Sequence, residues 1–333
     1  MGITSIIPTA GGKPAQQRLD GSGRLWVVNF GAGGSPNKPY GLECYDITTD
    51  PAHPKRLSFT GSPSFVWFSV EDIQVAGTTL FAVANGPLPQ TLRAVDISVS
   101  AAPTNLGSVN LDGQVYSLAL SPSGTTAVVA QSAGSGLRVV DVTLPGAMAI
   151  LASVAGSFMA VDTTLWPYVL ASNITTGRLE VYDLTVLATP VLVGFLALSG
   201  NIRRMVVDAA RRIVYLATTS SQLIYVIGIG NVLAPALVTT IPCSVAGDDT
   251  PIRLVSWGEK TLLVVPMNAQ DFNPASLWAF DVADVSAPVL AQVFVYGNIL
   301  DDCTIVGSYA YLGNRGGAQE LVAVTADTVL GEP

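Results

Sequence analysis

A leucine followed four residues later by an aspartate, then by an aliphatic residue and usually a Thr or Ser, recurs along the whole chain. The clear copies are Leu42–Asp46–Ile47–Thr48, Leu92–Asp96–Ile97–Ser98, Leu137–Asp141–Val142–Thr143 and Leu179–Asp183–Leu184–Thr185. A degenerate copy follows at Leu223 with Ile227 in the aspartate position, then Leu277–Asp281–Val282, and a last one at Leu321 with Thr325. The spacing averages about 46 residues, the size of one propeller blade.

Each copy is preceded by strand-like segments such as Leu80–Val83, Tyr168–Ala171 and Leu262–Val265, and these by earlier ones such as Val115–Leu120 and Met205–Val207. Pro54, Pro103, Pro190, Pro235 and Pro288 follow most copies, often with a further apolar segment such as Val191–Val193. Each unit therefore reads as four strands. The expected fold is all-β: a seven-bladed β-propeller of four-stranded antiparallel blades, one domain over residues 1–333. Alternate positions are often both apolar, as strands covered on both faces require. The aspartate should end its strand by accepting the N–H two residues on, and the proline should block pairing before the outermost strand begins. The Leu321 unit lacks an outer strand, while Ile3 to Ile7 is an unassigned apolar segment. Pairing the two closes the ring and removes two open edges.

The units "LEVYDLTVLATPVLVG" and "LWAFDVADVSAPVLAQ" resemble the LVIVD repeat, and four or five copies carry that likeness. The copies at Leu223 and Leu321 lack the aspartate, and Met148 stands where the third would have its proline. The resemblance implies a propeller of the kind often found in surface-exposed or particle-associated proteins. It brings no catalytic residues with it.

Composition excludes several function classes. Hydrophobic residues make up 49% and charged residues 12% of the 333, and the net charge is −8 with only four lysines. That balance disfavours nucleic acid, which needs clustered Lys and Arg. No apolar run approaches the roughly 20 residues of a membrane-spanning helix, so no insertion is expected. Met1 to Pro14 lacks the basic patch and apolar core of a signal peptide. The expected location is a virion or the cytoplasm, and a cell surface only if a leader has been removed. Cys44, Cys243 and Cys303 are too few and too scattered for a zinc site or a disulfide framework and read as buried thiols.

The one histidine, His53, sits in a turn between Pro51 and Pro54, a poor place for a catalytic base, and no phosphate-binding loop occurs. No enzyme activity and no resident cofactor are expected. Three acidic pairs, Glu71–Asp72, Asp248–Asp249 and Asp301–Asp302, each precede an innermost strand. Asp72 and Asp302 would converge at the channel mouth, where Ca²⁺ is the hard cation that oxygen ligands would take. The competing reading makes these carboxylates turn residues or partners of Arg203, Arg204 and Arg253. Long inserts at Gly31–Tyr40 and Met267–Ser276 fall on the same face and carry Asn37, Tyr40, Asp271 and Phe272 as candidate partner-binding residues.

The leading functional expectation is a non-enzymatic interaction or assembly module bound to other protein subunits, in concrete form a virion protein associated with a bacteriophage tail or fibre. The alternatives are a bacterial surface propeller that binds a protein or glycan, and a cation-dependent enzyme of the lactonase or hydrolase kind.

Overall fold

The computed structural model describes residues 3–8, 13–30, 41–61, 70–85, 89–132, 136–200, 202–218, 223–243, 252–267, 276–296, 300–314 and 320–332. They form seven separate four-stranded antiparallel sheets arranged as a closed ring of seven blades. The innermost strands, in blade order, are Lys13–Leu19, Val70–Ala76, Gln114–Leu120, Phe158–Asp162, Ile202–Asp208, Arg253–Trp257 and Leu300–Val306. Blades one to six each run from inside to outside in chain order. The seventh consists of Leu300–Val306, Tyr309–Asn314 and Glu320–Thr325, and takes Ile3–Pro8 as its outer strand. The closure expected from Ile3 to Ile7 is thus present, with Ile7 opposite Leu321 and Ile6 opposite Val322.

Among the described residues no backbone ladder joins one blade to the next, so the ring depends on side chains packed between them. Seven apolar clusters occupy the seven seams, each drawn from two neighbouring blades. The seam that closes the ring joins Leu25, Val27, Tyr45 and Ile47 of the first blade to Tyr311, Leu321 and Ala323 of the seventh. Burial on both sheet faces explains the nearly continuous apolar runs. Val214, Tyr215 and Leu216 are consecutive and all fully buried.

The repeat motif has the local role its chemistry suggests. Asp46, Asp96, Asp141, Asp183 and Asp281 each accept the backbone N–H two residues on, at 2.8–2.9 Å. The hydroxyls of the following threonines, together with these N–H groups, favour the carboxylate and hold Asp46, Asp141 and Asp183 below the usual carboxylate range, and the Ser98 N–H does most to lower Asp96. The fifth copy needs a correction. Ile213 pairs with Gly228, and Ile229 N–H bonds Arg212 O as Ile97 N–H bonds Thr78 O. The leucine and aspartate positions in that blade are therefore Ile224 and Gly228, one residue later than Leu223 and Ile227. In "LIYVIG" every position but the last is apolar or aromatic, so side-chain pattern alone does not set its phase. Asn231, three residues on, caps the following turn by accepting Leu233 N–H at 3.1 Å, as Asp284 accepts Ser286 N–H at 2.9 Å in blade six.

Two outer strands touch the next blade through glycine. A Cβ on Gly194 would lie 2.7 Å from both Val232 O and Leu233 O, and one on Gly107 would lie 2.8 Å from Pro145 O. The chain then ends on a short helix, Ala326–Leu330, not anticipated from sequence. Val329 and Leu330 cap the seam between blades six and seven, and Trp257 Nε1 donates to Gly331 O at 2.8 Å.

Gly194→Ala should lower stability by about 1–3 kcal/mol in chemical denaturation, since the obstacle is backbone. Gly230→Ala, with open space around it, should leave the midpoint unchanged. The depressed aspartates fix the sign of the acid response: their stabilisation is complete above the unfolded value of about 4 and disappears as pH falls through the lower folded values. Thermal midpoints measured from pH 7 down to 2 should hold level to about pH 5 and then decline.

Candidate functional site

The inner strands of blades one, two, three, five and seven carry a bulge near their start, at Pro14/Gln16, Val70/Asp72, Val115/Ser117, Ile202/Arg204 and Leu300/Asp302. A bulge breaks the ladder and re-aims the next side chain. Asp72 and Asp302 occupy that position in blades two and seven, and both are buried. Asp302 Oδ2 accepts Gln17 N–H of blade one at 2.9 Å. Asp72 Oδ2 accepts the equivalent N–H, that of Leu118 in blade three, at 3.0 Å. In each case the other oxygen takes the N–H of the next residue, Cys303 at 2.8 Å and Ile73 at 2.9 Å. These aspartates therefore bond backbone donors on the next blade's inner strand as well as their own.

Guanidinium groups complete the arrangement. Arg18 donates to Asp72 Oδ1 at 2.8 Å and lies 3.8 Å from Asp302 Oδ2, so one side chain of blade one bridges the blades on either side. Arg253 donates through Nη2 to both oxygens of Asp302 at 2.9 Å. Arg204 reaches from blade five to Tyr116 O in blade three at 3.0 Å. Burial and the nearby Arg253 lower the pKa of Arg18, Asp72 and Asp302 oppose that shift, and Arg204 adds to it.

This ring borders a cavity of about 970 Å³ along the propeller axis. Its walls include Arg18, Arg204 and Arg253, the carboxylates Asp72 and Asp162, and the polar groups of Gln16, Gln74 and Ser117. Burial raises the Asp162 carboxyl above its ordinary range against an opposing bond from Thr164 N–H. At its other end the cavity reaches the turns between first and second strands, where Gly77 and Pro122 are exposed.

The sequence-predicted residues fare differently. Asp72 and Asp302 do come together, but inside the ring and on arginine: Asp302 holds Arg253, one of the three arginines weighed against the cation, while Asp72 holds Arg18, which was not among them. Their oxygens accept N–H donors where Ca²⁺ would need free lone pairs. Among the described residues no three His, Cys, Asp or Glu side chains gather as a metal centre would require. Asn37, Tyr40, Asp271, Phe272, Asp248 and Asp249 lie outside the described residues. His53 is exposed and rests its Nδ1 3.0 Å from Asp50 Oδ2. The three cysteines are free and buried, and burial pushes the Cys44 and Cys243 thiols up to about 12. Trp26 is fully buried, while Trp166, Trp257 and Trp278 pack partly buried against the seams.

Arg18 is the residue that sequence reasoning missed. Its strand, KPAQQRL, has no apolar alternation and so gives little strand signal. The available clue was register, since Arg18 and Arg253 lie opposite Trp26 and Val264, which in turn face Cys44 and Ala279, each two residues before its repeat aspartate. Also missed were two matching buried carboxylates between second and third strands. Glu43 takes Asn29 Nδ2 at 2.6 Å and the Tyr45 hydroxyl; Glu180 takes Asn173 Nδ2 at 3.1 Å and the Tyr182 hydroxyl at 2.7 Å.

No protein-family model matches the sequence, so the LVIVD resemblance rests on the repeat units alone. No curated protein matches it either. Many solved structures share the fold. The Cps50 (Swd1) β-propeller domain of Myceliophteria thermophila is similar with a TM-score of 0.72 at 13% identity, covering 98% of this chain and 99% of that one. A candidate 6-phosphogluconolactonase from Bacteroides fragilis is similar with a TM-score of 0.68 at 13% identity, covering 88% of each chain. A chain of the Mitotic Checkpoint Complex is similar with a TM-score of 0.66 at 10% identity, covering 98% of this chain and 93% of that one. At such identities the likeness establishes the seven-bladed propeller and nothing finer.

Asp302→Asn should cost about 3 kcal/mol in denaturant unfolding, because it leaves Arg253 beside a neutral group in the ring. Millimolar Ca²⁺ should leave the wild-type melting temperature unchanged; a saturable rise that Asp72→Asn abolishes would restore the cation reading.

Proposed function

We propose that this propeller is a non-enzymatic assembly module that docks to other protein subunits through its outer rim, in concrete form a virion subunit of the tail- or fibre-associated kind. The observation that carries the reading is the surface of three consecutive blades. Their outermost strands, Val191–Ala197, Ala236–Pro242 and Val289–Val295, contain no charged residue. They expose Val191 (55%), Phe195 (49%), Leu237 (50%) and Val289 (62%), together with Leu192, Val238, Leu290, Val293 and Val295.

An outermost strand has an unpaired backbone edge, which native proteins protect with Lys, Pro or a covering element. The first blade follows that rule with Lys55 and Arg56 in its outer strand. The outer strands of blades four to six carry no Lys or Arg; Pro242 ends that of blade five, and the terminal helix packs on that of blade six. Exposed apolar edges without charge are a liability unless another subunit covers them, and a patch on this scale is a usual mark of an interaction surface. The low lysine content and the likeness of the repeat units to those of particle-associated propellers support the virion form. Two of the similar solved structures are a propeller domain and a chain from a named multiprotein complex, which is compatible with protein partners.

The test places one lysine on each blade: Leu192→Lys, Leu237→Lys and Leu290→Lys combined. Wild type should bind a hydrophobic dye and associate with rising concentration in light scattering, and the triple variant should do neither while keeping its β-sheet spectrum. A wild-type protein that stays monomeric at high concentration and binds no more dye than the variant overturns the rim reading. Mass spectrometry of purified particles from a producing host tests the virion form separately.

A further inference from the structure

We propose that a hollow of about 410 Å³ between the turns of blades three and four binds a neutral sugar, with one ring stacked on Trp166 and its hydroxyls bonded by Thr125 and Thr185. Turns form this site, not the outermost strands of the rim, so it stands or falls apart from the assembly reading.

The first ground is that the fold does not require an aromatic side chain at Trp166. This residue stands three places before Val169, which faces Tyr182, the residue just ahead of a repeat aspartate. The same position in the other blades holds Ser22, Gly77, Gly124, Arg211, Lys260 and Gly307. Six blades thus close their first turn without a ring there. Trp166 is half-buried, packing in part against the seam of blades three and four while also lining the hollow. Its polar atom is unlike those of its counterparts. Trp26, Trp257 and Trp278 donate their indole N–H to acceptors at 2.9, 2.8 and 2.9 Å. Among the described residues Trp166 Nε1 has no acceptor, so an indole with an apolar face also offers a donor to a ligand.

The second ground is the chemistry around that ring. Pro167, Leu184 and Leu187 add apolar surface to the hollow, and no charged side chain lines it. Ser123, Thr125 and Thr185 line it with hydroxyls, which both give and accept hydrogen bonds. Their protons can be traced. Ser121 is buried and its Oγ accepts Thr126 N–H at 3.1 Å, so its own proton goes to Ser123 Oγ at 3.1 Å. Ser123 then donates to Thr125 Oγ1 at 2.7 Å, and exposed Thr125 is left to donate outward. Thr185 donates to Asp183 Oδ1 at 2.6 Å, which leaves its oxygen to accept. One hydroxyl therefore gives and another takes.

A pyranose has the matching combination, an apolar C–H face bordered by hydroxyls. A charged ligand would meet no opposite charge on this lining. A proline-rich peptide docks in a groove lined by several aromatic side chains, and this hollow has one. Ser123 also lines the mouth of the axial cavity, so a second sugar unit can continue toward the axis.

The experiment uses the whole chain and four neutral disaccharides, maltose, cellobiose, lactose and chitobiose, with sorbitol as the polyol that lacks a ring. Tryptophan fluorescence titration and saturation-transfer NMR should show saturable binding of at least one disaccharide and none of sorbitol. Trp166→Ala should weaken that binding about tenfold or more. The ring tolerates small residues at this position, since three blades hold glycine there. Thr125→Val, which keeps the shape and removes the outward donor, should weaken binding about threefold and serves if Trp166→Ala does not fold. The proposal is overturned if no disaccharide exceeds sorbitol, or if binding survives both substitutions unchanged. It is also overturned if a proline hexamer binds at Trp166 and the sugars do not, which would make the hollow a peptide site.

Discussion

Neighbouring blades must cover each other's faces, because among the described residues the hydrogen-bonded sheets stop at four strands and no ladder crosses a seam. A blade alone would leave apolar surface exposed on both sides. The ring satisfies every blade only when the first and seventh also meet, and the pairing of Ile3–Pro8 with Glu320–Thr325 makes the seventh blade complete enough to do so. From that closure follow the seam of Leu25, Tyr45, Tyr311 and Leu321, and the meeting of Asp302 with Gln17 and Arg18.

The inner ring meets a second constraint. Strands at the axis have one edge without a ladder partner, and their N–H groups need acceptors. Asp72 and Asp302 supply them across seams, at matching positions in their blades. The bulges turn those side chains to the required direction. The same bulge position in blade five holds Arg204, so one backbone device presents acid in some blades and base in another. The axial cavity takes its chemistry from that variation, while the rim takes its character from the strands furthest away.

Much of this was legible in the chain, for reasons that differ by residue. The turn role of Asp46, Asp96, Asp141, Asp183 and Asp281 is local, spanning two residues, and local chemistry survives into any fold that keeps the strand. The closing strand was legible because one unit lacked a strand and one apolar segment lacked a unit. The fifth copy was placed one residue early because its strand is apolar at successive positions and gives no phase. Arg18 was missed because KPAQQRL does not alternate. The pairing of Asp302 with Arg253 was foreseen as the competitor to a cation, yet Arg18, which holds Asp72 and bridges the two aspartates, lies 54 residues from one and farther still from the other.

The sequence by itself determined the number of blades, the turn chemistry of each repeat and the way the ring closes. These rest on periodicity and on contacts between near neighbours in the chain, which a linear pattern can encode. The tertiary structure alone decided which charged groups share the axis, which register blade five adopts, and that the tail becomes a helix over a seam. Those depend on which blades become neighbours and on which polar groups burial forces to find one another. Spacing along a chain does not carry that information until the ring is closed.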